Sequence, residues 1–325
     1  MNCKSNARLK SIIKWLDSDS VFDDARLNLP GMPRSEADRC LPFVFLHAGC
    51  LMVLATESSY FAIGVCVALY CIRMFAITGF YHRYFSHRAF KTSRAVQFIF
   101  ALVGSASMQR GPLWWAAHHR EHHAKSDKEG DLHSPNERSF LWSHIGWLTS
   151  TKNMATQYDR IQDFASYPEL RLLNRFDWAM PLLLIAALYL MGEYLKNANP
   201  ELATNGAQLV AWGFFVSTTI LFHATCSINS IAHLFGYRRY QTPDNSRNNP
   251  VLALFTFGEG WHNNHHKVSN CARQGFVWWE IDITYAVLFL MSKFGLVYDL
   301  KPVPASALIP EQTELLRSKP RAGAA

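Results

Sequence analysis

YFAIGVCVALYCIRMFAITGFYHRYFSH (Tyr60–His87) is the stretch on which the fold turns. Tyr60–Phe80 is apolar apart from Arg73, and its length matches the roughly 20 residues a helix needs to cross a bilayer. Arg73 is tolerable there if it snorkels or faces the protein interior. The segment then runs straight into HRYFSH, which places His82 and His87 just after the span, at the water-facing border.

The reading extends outward in both directions. Upstream, LPFVFLHAGCLMVLA (Leu41–Ala55) precedes a short TESS break, so the first two apolar runs form an antiparallel hairpin. Downstream, AVQFIFALVGSASMQ (Ala95–Gln109) is apolar but too short to cross, which predicts a buried or re-entrant helix. Two further spans follow at about 176–195 and 208–234, and Pro181 marks either a kink or a late start of the third.

Four spans put both termini on one side. Basic residues crowd 1–40, 82–175 and 236–325, whereas the two opposite loops carry only Lys196. The positive-inside rule therefore puts both termini in the cytoplasm, in a bacterial inner membrane or the endoplasmic reticulum. The expected class is all-α integral membrane. Segment 1–40 is a cytosolic lead with a short interfacial helix at SIIKWL, 41–300 is the membrane unit, and 301–325 is a polar tail. Within that unit, 82–175 and 236–300 form a helical cytosolic cap.

Bulk properties agree with segregation rather than uniform polarity. The chain has 325 residues, 49% of them hydrophobic, a net charge of +7 and a mean hydropathy of −0.04. Its basic residues lie beside apolar runs, which argues against nucleic acid. The seven cysteines form no C-x-x-C pair or regular framework, as expected in a thiol-reducing compartment.

Most of the 14 histidines are clustered. HHREHH carries His119, His122 and His123 at offsets i, i+3 and i+4, and HNNHH repeats the offsets with His262, His265 and His266. Residues at these offsets share one helix face, so each triple can aim two or three imidazoles at one point. With His82, His87 and His233 of NSIAH, where Asn229 stands at i−4, the possible ligands are too many for one ion. Two ions are the natural count, and imidazole suits iron, zinc, copper or nickel. His47, His118, His133, His144 and His223 stand apart and read as non-ligands. H-E-x-x-H is absent, and E-x-x-H occurs once (Glu259 to His262), which favours an all-histidine site over zinc hydrolysis or a carboxylate-rich bundle. A metal transporter would hold its ligands near the bilayer midplane, whereas most of these fall outside the spans. Asp127, Asp131, Glu259 and Asp282 have the chemistry to orient the imidazoles.

Together with GEGWHNNHH (Gly258–His266), NSIAHLFG (Asn229–Gly236) and ARQGFVWWEIDITY (Ala272–Tyr285), these boxes resemble the membrane fatty acid desaturases. The closest branch is the acyl-CoA delta-9 (stearoyl-CoA) type, and the resemblance covers about residues 41–300. It implies two irons held by His82, His87, His119, His122, His123, His233, His262, His265 and His266, with Asn229 reaching one iron through water. It also implies O2 as co-substrate, and a bent acyl tunnel with Gln109, Trp115 and Thr225 at its kink. The expected product is a long acyl chain with a cis double bond, the related alternative being hydroxylation.

Two departures bear on the acyl carrier. Ala117 and His118 stand where the branch often has Arg-Asp, and Cys226 stands where it often has Trp. Acyl-CoA is the first expectation, with phospholipid and acyl carrier protein as alternatives. Arg238, Arg239, Lys267 and Arg273 are candidates to meet a phosphate headgroup. The sequence carries no G-x-G-x-x-G and no haem module, so electrons are expected from a separate donor of cytochrome b5 or ferredoxin type.

Overall fold

The computed structural model describes residues 16–308. Four helices among them are long and apolar enough to cross a membrane: Ala37–Leu54, Tyr60–Ser86, Ala179–Ala198 and Gly206–Ser230, here spans one to four. Spans two and four form the inner, more buried pair, and spans one and three flank them. Five of the six residues of SIIKWL, and the tail beyond Leu308, lie outside the described residues.

Span limits differ from expectation for local reasons. Span one starts at Ala37, before the apolar run, and ends in a tightened 3-10 turn at Cys50–Leu54. Span two starts where Ser59 caps the amide of Ala62. It does not stop before HRYFSH. From Ala76 to Ser86 the chain winds as a π-helix, so His82 lies inside the span and His87 caps it. In span three Pro181 falls in the first turn, where its missing N–H is harmless, so it marks a late start and not a kink.

Span four ends at Ser230 with Ile231 as its cap, and His233 lies in the turn that follows. The i, i+4 relation of Asn229 and His233 is therefore not helical. The hairpin between spans three and four depends on small residues. A Cβ at Gly192 would come within 2.5 Å of the Asn205 backbone, and one at Gly206 within 2.6 Å of the Tyr189 carbonyl.

Arg73 faces the protein interior. Its guanidinium donates to the hydroxyls of Ser217 and Thr218 on span four and to the carbonyl of Ala106. This meets the requirement that a charge at membrane depth be fully hydrogen-bonded.

The cap is built mainly of short helices. Arg94–Ser105, the expected short apolar helix, buries one face against the end of span two. Pro112–Lys125 and Ile283–Lys293 pack on the same end. His262–Lys267 lies in the cap after a turn at Gly258, whose φ of +115° favours glycine. Lys91–Thr92 pairs antiparallel with Val297–Tyr298 and ties the exit of span two to the C-terminal segment. The core beneath holds Phe80, Tyr81, Phe85, Phe90, Leu113 and Leu170.

Candidate metal centre and its cavity

The nine histidines gather into two groups. His82, His87, His119, His123 and His265 bring one ring nitrogen each to within 4.8 Å of one another, and so do His122, His233, His262 and His266. The triples do not each converge on a single point. His119 and His123 join the first group and His122 the second, whereas His262 and His266 join the second and His265 the first. Helix geometry explains the split. Residues i and i+4 differ by about 40° around the axis, but i+3 lies about 60° to the other side. H-x-x-H-H thus serves two points, and two such helices facing each other supply both groups.

The H-x4-H spacing needs a different helix. On an α-helix, positions five apart point about 140° from each other. The π segment removes that divergence, and the His87 amide donates to the His82 carbonyl, closing an i to i+5 turn at 3.2 Å. Both imidazoles then reach the first group, with ring centroids 4.9 Å apart.

Carboxylates hold the far nitrogens. Nδ1 of His82 lies 2.5 Å from Glu259, that of His233 2.8 Å from Asp127, and that of His266 2.6 Å from Asp244. Nδ1 of His122 lies 3.0 Å from Asp131. Each such bond fixes the tautomer and turns a bare Nε2 toward the group. Asp282, expected in the same role, touches no imidazole. It pairs with Arg83, which also holds Glu259, and thus stands one step further out.

Asp244 and Gln274 carried no signal in the sequence. The Gln274 amide nitrogen lies 3.3 and 3.4 Å from Nδ1 of His82 and His265. The asparagines of HNNHH were also overlooked. Asn263 accepts from the amides of Arg239 and Tyr240, Asn264 donates to Glu280, and Asn248 accepts from both their amides.

Electrostatics keep the imidazoles in ligand form. Burial, reinforced by neighbouring rings, holds His87, His119, His123, His262 and His265 well below the usual histidine range. Burial also lowers His266, to about 4, against the pull of Asp244. His122 is the exception. Burial would lower it, but Asp131 outweighs that and raises it. Burial pushes Asp127, Asp131 and Asp244 upward, yet their histidine partners hold all three below the carboxylate range. A neutral imidazole is the form that binds metal.

The donor set fits a pair of metal ions. Facing Nε2 atoms lie 3.1 Å apart in His82–His265, 2.9 Å in His265–His123, 2.8 Å in His87–His119 and 3.0 Å in His233–His262. Two nitrogens about 2.1 Å from one ion and at right angles about it stand about 3.0 Å apart. A proton can bridge one such pair, but only a shared cation serves five nitrogens together. Nε2 of His266 is moreover buried without a hydrogen-bond partner. Nine imidazoles suit borderline metals such as iron.

The remaining histidines do other work. His118 donates to the Trp114 carbonyl at 2.9 Å. His47, His223 and His144 form a chain, with Nε2–Nε2 at 2.8 Å and Nδ1–Nε2 at 2.9 Å. His133 is closer to the centre than expected, since it groups with His122 and Asp131.

A cavity of about 460 Å³ runs to His119, within the range of roughly 300–1,000 Å³ usual for ligand pockets. Gln109, Trp115, Thr225 and Asn229 line it. Gln109 donates to the Thr225 hydroxyl at 3.1 Å, and Trp115 stacks on the His119 ring with centroids 5.1 Å apart. Met108 and Arg110, on either side of Gln109, both have left-handed backbone, with φ of +56° and +69°. Such strain typically costs about 1–3 kcal/mol per residue and persists where the surroundings fix it. Arg238, Arg239, Lys267 and Arg273 are not on this wall. Arg239 is held by Glu280, and Lys267 and Arg273 lie over the rings of Tyr240 and Tyr285. Among the described residues, Arg39 and Arg110 are the arginines that line the cavity.

Comparison with known proteins shows what the chain is similar to. The family pattern described as Fatty acid desaturase matches residues 58–291. The sn-1 stearoyl-lipid 9-desaturase of Anabaena variabilis is 36% identical over 262 residues, 80% of this chain and 91% of that protein. The acyl-CoA C20 Delta5-desaturase of Anemone leveillei is 37% identical, over 79% of this chain and 78% of its own length. A hex-5-enoyl-[acyl-carrier protein] acetylenase of Moorena producens is 34% identical, over 76% and 78%. These three relatives carry their acyl chains in three different ways.

Proposed function

This chain belongs to the fatty acid desaturase family and is an oxidoreductase, and we propose that it puts a cis double bond, at the delta-9 position, into a long saturated acyl chain. The reading takes two iron ions as the cofactor, O2 as co-substrate and a separate electron donor of cytochrome b5 or ferredoxin type. What carries it is one observation: nine imidazoles, buried or half-buried, meet in two groups beside the end of an apolar cavity.

The iron pair, when bound, supplies the oxidising power that no side chain has against an unactivated methylene. In balance, two hydrogens leave adjacent carbons, two electrons and two protons come from outside, and one O2 becomes two waters. The protein's own part is positional. The five-histidine group would hold one ion and the four-histidine group the other. Glu259, Asp127, Asp131 and Asp244 keep the ligand nitrogens bare. Asn229, on the cavity wall, would meet one ion through water. Gln109, Thr225 and Trp115 bend the acyl chain so that one bond lies at the metals, and the apolar wall excludes water. The distance from the mouth to that bend sets the position of the double bond. By the distribution of basic residues, both termini face the cytoplasm.

The test is expression in a host that lacks the activity, with its fatty acids resolved by gas chromatography and mass spectrometry. The expected product is two hydrogens lighter than its precursor, with the double bond at delta-9. A product one oxygen heavier, or no new product, overturns the reading.

A further inference from the structure

We propose that the cap reaches down into the bilayer: the helices Pro250–Phe255 and Ile283–Lys293 lay an apolar face in the cap-side leaflet, beside span two, without crossing it. The proposal rests on the reading that the four long apolar helices cross a membrane, and adds a lipid-binding surface outside them.

Ile283–Lys293 is apolar on two opposite faces. Thr284, Leu288 and Met291 are buried against the core. Ala286, Phe289, Leu290, Lys293 and the capping Phe294 follow the offsets i, i+3, i+4, i+7 and i+8, so they share the other face. All five are exposed, Phe289 to 47%, Leu290 to 58% and Phe294 to 73%. A helix face turned to water carries polar side chains, and this one holds a single charge at its end. With 11 residues the helix is too short to cross a bilayer. Pro250–Phe255 repeats the pattern over six residues: Leu252 and Ala253 are buried, whereas Val251, Leu254 and Phe255 are exposed. The Thr284 amide donates to the Phe257 carbonyl, which ties the two helices into one surface.

Depth decides what covers that surface. Span two begins at Tyr60, just past Glu57, whose charge marks the far edge of the hydrocarbon. At 1.5 Å per residue, Tyr70 lies about 15 Å along the span and Thr78 at most about 27 Å. Both fall inside a hydrocarbon layer about 30 Å thick. The Tyr70 hydroxyl donates to the Phe255 carbonyl, and the Thr78 and Thr284 hydroxyls lie 2.7 Å apart. These bonds pin both helices to span two at membrane depth.

Charge agrees with lipid. Glu280 and Asp282 are the acidic residues of Gln274–Lys293, and both turn inward, to Arg239 and Arg83. Arg273 and Lys293 stand at the two ends of this surface, and Trp278 and Trp279 are exposed between them in the chain. These are the residue types that settle among headgroups. The segment joining the two helices carries Glu259 and His262–Lys267, so the lipid contact sets the height of the third histidine box over the membrane.

The experiment places the full chain in phosphatidylcholine vesicles doped with phosphatidylcholine that carries a photoactivatable diazirine midway along one acyl chain. After illumination, tryptic peptides are read for lipid adducts by mass spectrometry. Cleavage releases Asn248–Lys267 and Gln274–Lys293 whole, and Phe176–Lys196 of span three as the internal control. Adducts are expected on all three, in the first two at Val251, Leu254, Phe255, Phe289 and Leu290. Adducts confined to the spans overturn this proposal and leave the membrane and desaturase readings standing. No adduct on any peptide overturns the membrane reading with it.

Phe289→Asp combined with Leu290→Asp is expected to lose the adducts on Gln274–Lys293 while those on Phe176–Lys196 remain, and persistence of the former overturns the proposal. Should that variant fail to fold, Val251→Asp, read on Asn248–Lys267, gives the same decision. Chain-to-chain cross-links through Gln274–Lys293 in place of lipid adducts would assign the face to a second copy and overturn the proposal as well.

Discussion

Glu259 does two jobs with one carboxylate: it fixes the tautomer of His82 and neutralises the fully buried Arg83. Removing it frees Nδ1 of His82 and leaves the buried Arg83 with Asp282 as its remaining carboxylate partner. Glu259→Gln should reduce metal affinity by about 10–100-fold and cut desaturation with it. Iron analysis of the purified variant checks this, and unchanged iron would count against the role. Asp244→Asn should act likewise on the four-histidine group through His266.

The chain of His47, His223 and His144 gives the contrasting case. Nδ1 of His47 donates to the Phe43 carbonyl, which can only accept, so each ring in turn accepts on one nitrogen and donates from the other. His223→Phe should leave two ring nitrogens without partners, at about 1–3 kcal/mol each. A Tm lower by several degrees with iron content unchanged is the expected outcome, and loss of iron would contradict it. The nine clustered histidines were legible in the sequence because imidazole is a scarce ligand and its spacing repeats. Asp244, Gln274 and Asn248 were not, since each meets its histidine or asparagine partner only through the folded chain.

Helix type settles what sequence spacing leaves open. H-x4-H does not converge on an α-helix, and no residue pattern in Ala76–Ser86 announces that the chain winds as π there. The same limit hid the five-and-four division, which depends on two H-x-x-H-H helices facing each other. Span limits moved for local reasons: a π continuation to Ser86, a proline in a first turn and an early stop at Ser230. The helix His262–Lys267 is held from beneath by its own asparagines. Asn263→Leu should leave the amides of Arg239 and Tyr240 without an acceptor and loosen the four-histidine group. Reduced iron together with a lower Tm is expected, and full retention of both would contradict it. In the outer hairpin, Gly192→Leu should destabilise by about 1–3 kcal/mol or more, because the added side chain meets backbone and not a movable side chain. Thermal unfolding in detergent reads this, and an unchanged Tm would refute the close approach.

Across the whole molecule, the inner spans carry the chemistry and the outer spans meet the lipid. Span two delivers His82 and His87, and span four ends just before His233. Both reach the cap from below, while the two H-x-x-H-H helices reach it from within the cap. The four long apolar helices were legible from hydropathy because a bilayer demands such lengths. The cavity and its rim were not, because they arise from helices that meet only in three dimensions.

The most direct test of this account is metal analysis of the purified full chain, alongside His265→Ala from the five-histidine group and His262→Ala from the four-histidine group. The parent should hold two irons per chain, one for each group, and each variant should hold clearly less while still inserting in the membrane. A parent that holds one iron, none, or a different metal, or variants that keep both irons, would contradict it.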